Sequence, residues 1–164
     1  MKKFYLTTTI ILFLFICSKG ILAQTVMKNL DQTALMKKFL GSWHQNVGKD
    51  TVEEWNTRQY GKAFEMKVYL IIKGKKSNQR LNNYTFDSET GNFKGYQVYF
   101  NGDYDTWIGS FTSEKMFSFE MTRNFSPATT IYKYEMVFES PYLFTLTRFD
   151  NGAKAGDYKF HKAK

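Results

Sequence analysis

From residue 42 onward, apolar and polar positions alternate with a period of two, the spacing of strands with one buried face. The alternation is interrupted about every ten residues, which predicts strands over 42–48, 51–58, 62–73, 79–87, 92–100, 103–112, 115–124, 129–139, 142–149 and 155–162. The interruptions carry turn chemistry. Asp87 to Asn92 contains Gly91, Asn101-Gly102 is a strong two-residue hairpin signal, and Asp150-Asn151-Gly152 is similar. Pro127 and Pro141 both fall between strands, where a missing N–H costs nothing. Before residue 42 the period is 3.6. Leu30, Ala34, Leu35 and Phe39 share one side and Lys28, Lys37 and Lys38 point elsewhere, so Met27 to Leu40 is expected to be a short helix. Asp31 or Asn29 would cap it and Gly41 would end it. A lid packed on a sheet explains this helix better than a membrane-surface helix, which would want a longer basic face. The pattern as a whole predicts an all-β fold: an up-and-down antiparallel barrel or half-barrel of about ten strands with a short N-terminal helix.

The same alternation nominates an interior. Phe64, Met66 and Val68 share a side, opposite Glu65 and Lys67; Phe117 and Phe119 share another with Met121. Tyr132, Tyr134, Met136 and Phe138 lie opposite Lys133, Glu135 and Glu139, and Phe144 and Leu146 are followed on their face by Arg148. Phe64, Met66, Val68, Phe117, Phe119, Tyr132, Tyr134, Met136 and Phe144 are therefore the candidate lining of an aromatic interior.

Length and charge add limits. The 164 residues suit one domain. Lys2 and Lys3, an apolar run from Ile10 to Cys17, and Ile21-Leu22-Ala23 ahead of Gln24 have the layout of a secretory leader cleaved near Ala23. That divides the chain into a leader over 1–23 and a barrel domain over 24–164, in the periplasm or secreted. Acylation at Cys17 is the less favoured alternative, because Ile16 stands where a lipoprotein signal wants a small residue. Cys17 is the only cysteine, so a chain starting at Gln24 has no thiol chemistry and no disulfide. Without Lys2, Lys3 and Lys19 the net charge falls from +8 to +5, and the basic residues are dispersed. No nucleic-acid partner is expected, and membrane contact is expected only through the cleaved leader.

Leu40-Gly41-Ser42-Trp43 at the start of the first strand is similar to the opening of the lipocalin and calycin superfamily. In that superfamily the tryptophan closes one end of the barrel and a late-strand arginine packs across it. The resemblance makes Gly41, Trp43 and Arg148 the closure residues, with a ligand-facing Arg148 binding a carboxylate as the alternative. A further resemblance, to bacterial lipocalin-like exported proteins of unknown function, rests on an ordered set. That set is Leu40-Gly41-Ser42-Trp43, Glu53-Glu54-Trp55, Phe86-Asp87-Ser88-Glu89-Thr90-Gly91-Asn92-Phe93 and Asp105-Thr106-Trp107-Ile108-Gly109. It implies a fold and no agreed activity.

Chemistry is sparse. In the ten-stranded haem-binding barrels that this topology resembles, a histidine near the C-terminus ligates iron. Here His161 shares a face with Asp157 and Lys159, the solvent side, and His44 points opposite to Trp43. Glu53 and Glu54 adjoin and so face opposite ways, which prevents an acid/base pair. An inward glutamate is expected to pair structurally with Arg58, Arg123 or Arg148. No nucleophile elbow, phosphate loop or metal-protease motif occurs. No catalytic residue, metal or cofactor is therefore expected, and enzymatic activity is not. The expected function is binding of a small hydrophobic molecule in the aromatic interior. The alternative is a carbohydrate- or protein-interaction module using outward aromatics around Tyr69, Tyr96 and Phe100.

Overall fold

The computed structural model describes residues 30–163. The expected leader over 1–23, Cys17 and the first residues of the expected helix lie outside the described residues. A helix α1 (Gln32–Met36) and a 3₁₀ turn (Lys37–Phe39) lead into ten strands. These are β1 (Gly41–Gly48), β2 (Thr51–Tyr60), β3 (Ala63–Ile72), β4 (Lys75–Asp87) and β5 (Asn92–Tyr99), then β6 (Tyr104–Ser113), β7 (Met116–Thr122), β8 (Tyr132–Ser140), β9 (Leu143–Asp150) and β10 (Ala153–Lys162). Each strand pairs antiparallel with its sequence neighbours, and β1 pairs with β10, so the sheet closes into a barrel. The expected ten-strand antiparallel barrel with a short helix is the fold found.

The closing seam is short. Trp43 pairs with Lys162 and His44 with His161, and the Ala163 amide adds a bond of 2.9 Å to the Ser42 carbonyl. Beyond that point Gln45 to Gly48 pair only with β2, and Ala153 to Lys159 only with β9.

Among the described residues the helix is shorter than its periodicity implies. Asp31 caps it, its carboxylate accepting the Ala34 amide at 2.9 Å. After the 3₁₀ turn, Leu40 is already extended, and Gly41 at φ +94° turns the chain into β1. The tightened last turn places Phe39 inside the barrel, with ring centroids 4.8–6.3 Å from Phe111, Phe117, Phe138 and Phe144. Gln32 fixes the other side of the helix. Its amide donates to the Phe111 carbonyl at 2.9 Å and accepts the Phe111 amide at 2.7 Å, as a neighbouring strand would.

Trp43 plugs this end. It is buried, its ring lies 4.8 Å from Phe144, and its indole N–H donates to the Phe39 carbonyl at 3.1 Å. The cation on its ring is Lys162, 5.3 Å from the centroid, and not Arg148. The register explains the correction. Arg148 is opposite Gly156, six residues along β10 from Lys162, which is roughly 20 Å at strand rise. Arg148 therefore stands at the other end of the barrel.

Two inward glycines make room for rings. A Cβ on Gly95 would lie 2.3 Å from the Trp107 ring, and one on Gly109 would lie 2.4 Å from the Phe119 Cβ. Tyr84, buried on β4, stacks on Phe64 at 5.4 Å and packs against Trp107 at 5.2 Å.

Trp43→Ala should cost about 3–5 kcal/mol, because the rings around it cannot collapse into the space. Urea unfolding checks this, and unchanged stability would remove the plug role. A second expectation concerns alkaline pH. Burial pushes the Tyr84 phenol well above the ordinary tyrosine range, offset a little by the nearby Thr57 hydroxyl. The folded protein thus favours neutral Tyr84. That contribution is complete below about pH 10, the ordinary tyrosine value, and is lost as the pH rises beyond it. Tyr84→Phe should flatten the fall of stability above about pH 10 relative to the parent.

Candidate functional site

The two ends of the barrel differ in chemistry. At the helix end Trp55 lies 4.2 Å from Phe160, and Phe160 stacks on Phe144 at 4.9 Å, which continues the plug from Trp43. Above this layer the inward positions become polar. Glu53 on β2, Arg80 and Asn82 on β4, Gln97 and Tyr99 on β5, Asp105 on β6, and Arg148 and Asp150 on β9 form a rim. A cavity of about 130 Å³ lies between the two layers.

The cavity is walled mainly by rings and methionines. Met36 and Phe39 reach it from the helix end, Trp55, Trp107, Phe117 and Phe119 from the walls, and Met66, Met121, Met136 and Leu146 fill between them. Arg80, Asn82, Tyr84, Gln97, Tyr99 and Tyr134 supply its polar margin.

The rim is hydrogen-bonded to the walls. Glu53 accepts from the Trp55 indole at 2.8 Å and from Arg80 Nη2 at 2.9 Å. Asn82 accepts from the Trp107 indole at 2.9 Å. Tyr99 donates to Asp105 at 2.8 Å and receives a bond from the Gln97 amide. Arg148 Nη2 pairs with Asp150 at 2.9 Å, and the guanidinium lies 5.3 Å from the Tyr132 ring centroid. Arg148 Nε and Asp150 Oδ1 are buried without a partner among the described residues. Burial raises the phenol of Tyr99, and the bond to Asp105 raises it further by holding the proton. Burial raises Tyr134 as well, with Arg148 and Arg80 working against it.

Of the nine interior residues expected from alternation, Met66, Phe117, Phe119, Tyr134 and Met136 line the cavity. Phe64, Val68 and Phe144 are buried core outside it, and Tyr132 is 38% exposed at the rim under Arg148. The partner of the inward glutamate is Arg80, not Arg58, Arg123 or Arg148; Arg58 is outside, paired with Glu65 at 2.8 Å. Glu54 faces out, between Lys76 at 2.7 Å and His44 at 3.3 Å. The helical spacing put Phe39 on the packed side of the helix, where it is found, but it missed Met36 and Gln32 and chose Ala34 and Leu35, which are not buried; alternation missed the inward polar residues of β4. Arg80 and Asn82 share parity with Tyr84 and Phe86, a signal that would place them inside, but an apolar search passes over them.

A second feature lies on the outer wall beside the rim. Phe100 is 86% exposed, Tyr104 65%, Tyr96 46%, Phe125 39% and Val98 37%. All but Phe100 border a shallow groove of about 450 Å³ together with Thr106 and Asn124. The expected third member of such a face, Tyr69, is half-buried with Lys76 Nζ 3.9 Å from its ring centroid. Tyr104 and Phe125 take its place. Phe125 and Asn124 both have positive φ, 57° and 52°, and the Phe125 amide donates to Thr106 Oγ1 at 2.9 Å.

Among the described residues no three His, Cys, Asp or Glu side chains gather as a metal site would require. Set against known proteins, the chain matches no family model, and no curated protein aligns with it significantly. The site is therefore defined by its own geometry: an aromatic and methionine cavity, capped by a polar rim, inside a barrel filled at one end.

Proposed function

We propose that this is an exported lipocalin-like protein that binds a small hydrophobic molecule inside its barrel, and that it acts as a binder and not as an enzyme. The carrying observation is the cavity between the aromatic plug and the polar rim. Ligand pockets are mostly apolar with a few placed polar groups, and this lining has that composition. Its volume of about 130 Å³ is near that of voids that accept a single benzene ring. Four of its wall residues are methionines, which are unbranched and adaptable, so longer ligands can be admitted by repacking. The rim carboxylates support the binding reading over catalysis, because Glu53, Asp105 and Asp150 are each tied to a neighbour. The exposed aromatic group on β5 and β6 favours a second role, an interaction surface on the outer wall.

Toluene and alkylbenzenes should raise the melting temperature in a concentration-dependent way and shift the emission of Trp55 and Trp107, which wall the cavity. Met121→Phe, which fills the cavity, should weaken that response at least tenfold while the barrel stays folded. An equal response from parent and variant would exclude the interior as the site. Export is tested separately: mass spectrometry of the cellular protein should find a chain that begins at Gln24, and a retained Met1 would refute it.

A further inference from the structure

We infer that the rim end of the barrel docks on an anionic lipid surface, through the aromatic group around Phe100 and the basic side chains that flank it. The inference stands on the outer surface alone and does not require the interior to bind anything. It adds a membrane contact to the one expected through the leader.

Five large apolar side chains, Tyr96, Val98, Phe100, Tyr104 and Phe125, are more than a third exposed and share one sector. Phe100 opens the β5–β6 connection, where its amide is held by the Gln79 carbonyl of β4 at 2.9 Å. Isolated exposed apolar residues need no explanation, but a contiguous group marks a contact surface. Phe125 shows that the group is held in place. A phenylalanine with left-handed backbone is uncommon, and here its amide bond to Thr106 fixes it on the wall opposite Tyr104.

Charge selects the partner. On one side of the group the β1–β2 and β3–β4 turns carry Lys49 and Lys73 and β4 begins with Lys75, and Arg123 lies on the other side, at the start of the β7–β8 connection. All four are exposed and form no ion pair among the described residues. Asp50 and Asp103 are the acidic residues of the rim-end turns, and Asp150 at the end of β9 is paired with Arg148, so among the described residues four unpaired basic side chains there stand against two unpaired acidic ones. Aromatic rings at headgroup depth with lysines and arginines beside them are the two components of interfacial binding to an anionic leaflet. A sugar would be served by the rings and has no use for the lysines. A neutral protein knob would fit the groove and not the flanks.

The test reads the surface itself. In the full chain carrying Phe100→Trp, the new indole starts exposed, whereas Trp43, Trp55 and Trp107 are buried. Vesicles of equimolar phosphatidylcholine and phosphatidylglycerol should shift its emission to the blue, and bromine-labelled lipid should quench it. Phosphatidylcholine alone should do neither at the same concentration. Lys73→Glu with Lys75→Glu should weaken the response about tenfold or more, as expected for two basic side chains near a charged leaflet, and so should Tyr104→Ser with Phe125→Ser. No shift or quenching with either vesicle overturns the inference, and retention on immobilised polysaccharide or protein in that case assigns the face to such a partner. A shift that ignores lipid charge and the lysine substitutions overturns the electrostatic part and with it the choice of partner. The toluene response of the lysine variant should equal that of the parent. Vesicle binding without a toluene response removes the interior reading alone, and the converse removes this one alone.

Discussion

The wall of this barrel is closed by two residue pairs, Trp43 with Lys162 and His44 with His161, and by one further amide bond from Ala163. Intramolecular hydrogen bonds contribute on the order of 1 kcal/mol each, so the seam by itself adds a few. Directly behind it sit Trp43, Phe144, Phe160, Trp55 and Phe39, all buried. Burying a side chain of that size is worth about 1.5–3 kcal/mol. The aromatic layer therefore holds the seam together. The 3₁₀ turn that brings in Phe39 and the Gln32 clamp on Phe111 belong to the same device, because they keep a ring over the centre of the plug.

Filling one end so heavily determines what the other end can be. Inward positions near the rim carry Glu53, Arg80, Asp105, Arg148 and Asp150, which must stay close to water or find partners. Each has at least one partner, although Arg148 Nε and Asp150 Oδ1 are buried without one among the described residues, and the bonds from the Trp55 and Trp107 indoles to Glu53 and Asn82 join the two layers. Apolar packing and polar pairing meet where neither fills all the space, and the cavity lies at that boundary. Its position follows from the two layers and not from a separate design of the walls.

The fold was readable because each strand advertises itself twice, by alternation and by the turn that ends it. Asn101-Gly102 and Asp150-Asn151-Gly152 close connections where alternation stops, and Gly102 and Gly152 have positive φ. The site was half readable. Strands β3, β7 and β8 alternate cleanly, so Met66, Phe117, Phe119, Tyr134 and Met136 could be assigned to the inside. On β4 the inward face mixes polar Arg80 and Asn82 with apolar Tyr84 and Phe86 while Leu81 faces out, so a search for apolar faces finds the rings and passes over the polar pair. Arg148 was assigned to Trp43 from a family resemblance, and only the β9–β10 register shows that the two are at opposite ends. Gln32 imitating a strand partner leaves no trace in periodicity, since a buried glutamine on a short helix looks like surface.

The difference between the ends also decides how the interior can be reached. Opening the helix end would uncover the Trp43 and Phe39 layer, at several times the cost of any single polar contact. At the rim, Arg80 crosses from β4 to Glu53 on β2 and is held there by one charge-assisted bond of 2.9 Å. Such a bond is worth about 1.5–3 kcal/mol, and an arginine released from it keeps its charge in water. Beside it, the upper halves of β1 and β10 are not paired to each other, so the wall can part there without breaking a ladder. Access to the interior is therefore cheapest at the rim end. The same end carries the exposed aromatics, on the β5–β6 side of the ring, across the barrel from the unpaired stretch of β1 and β10.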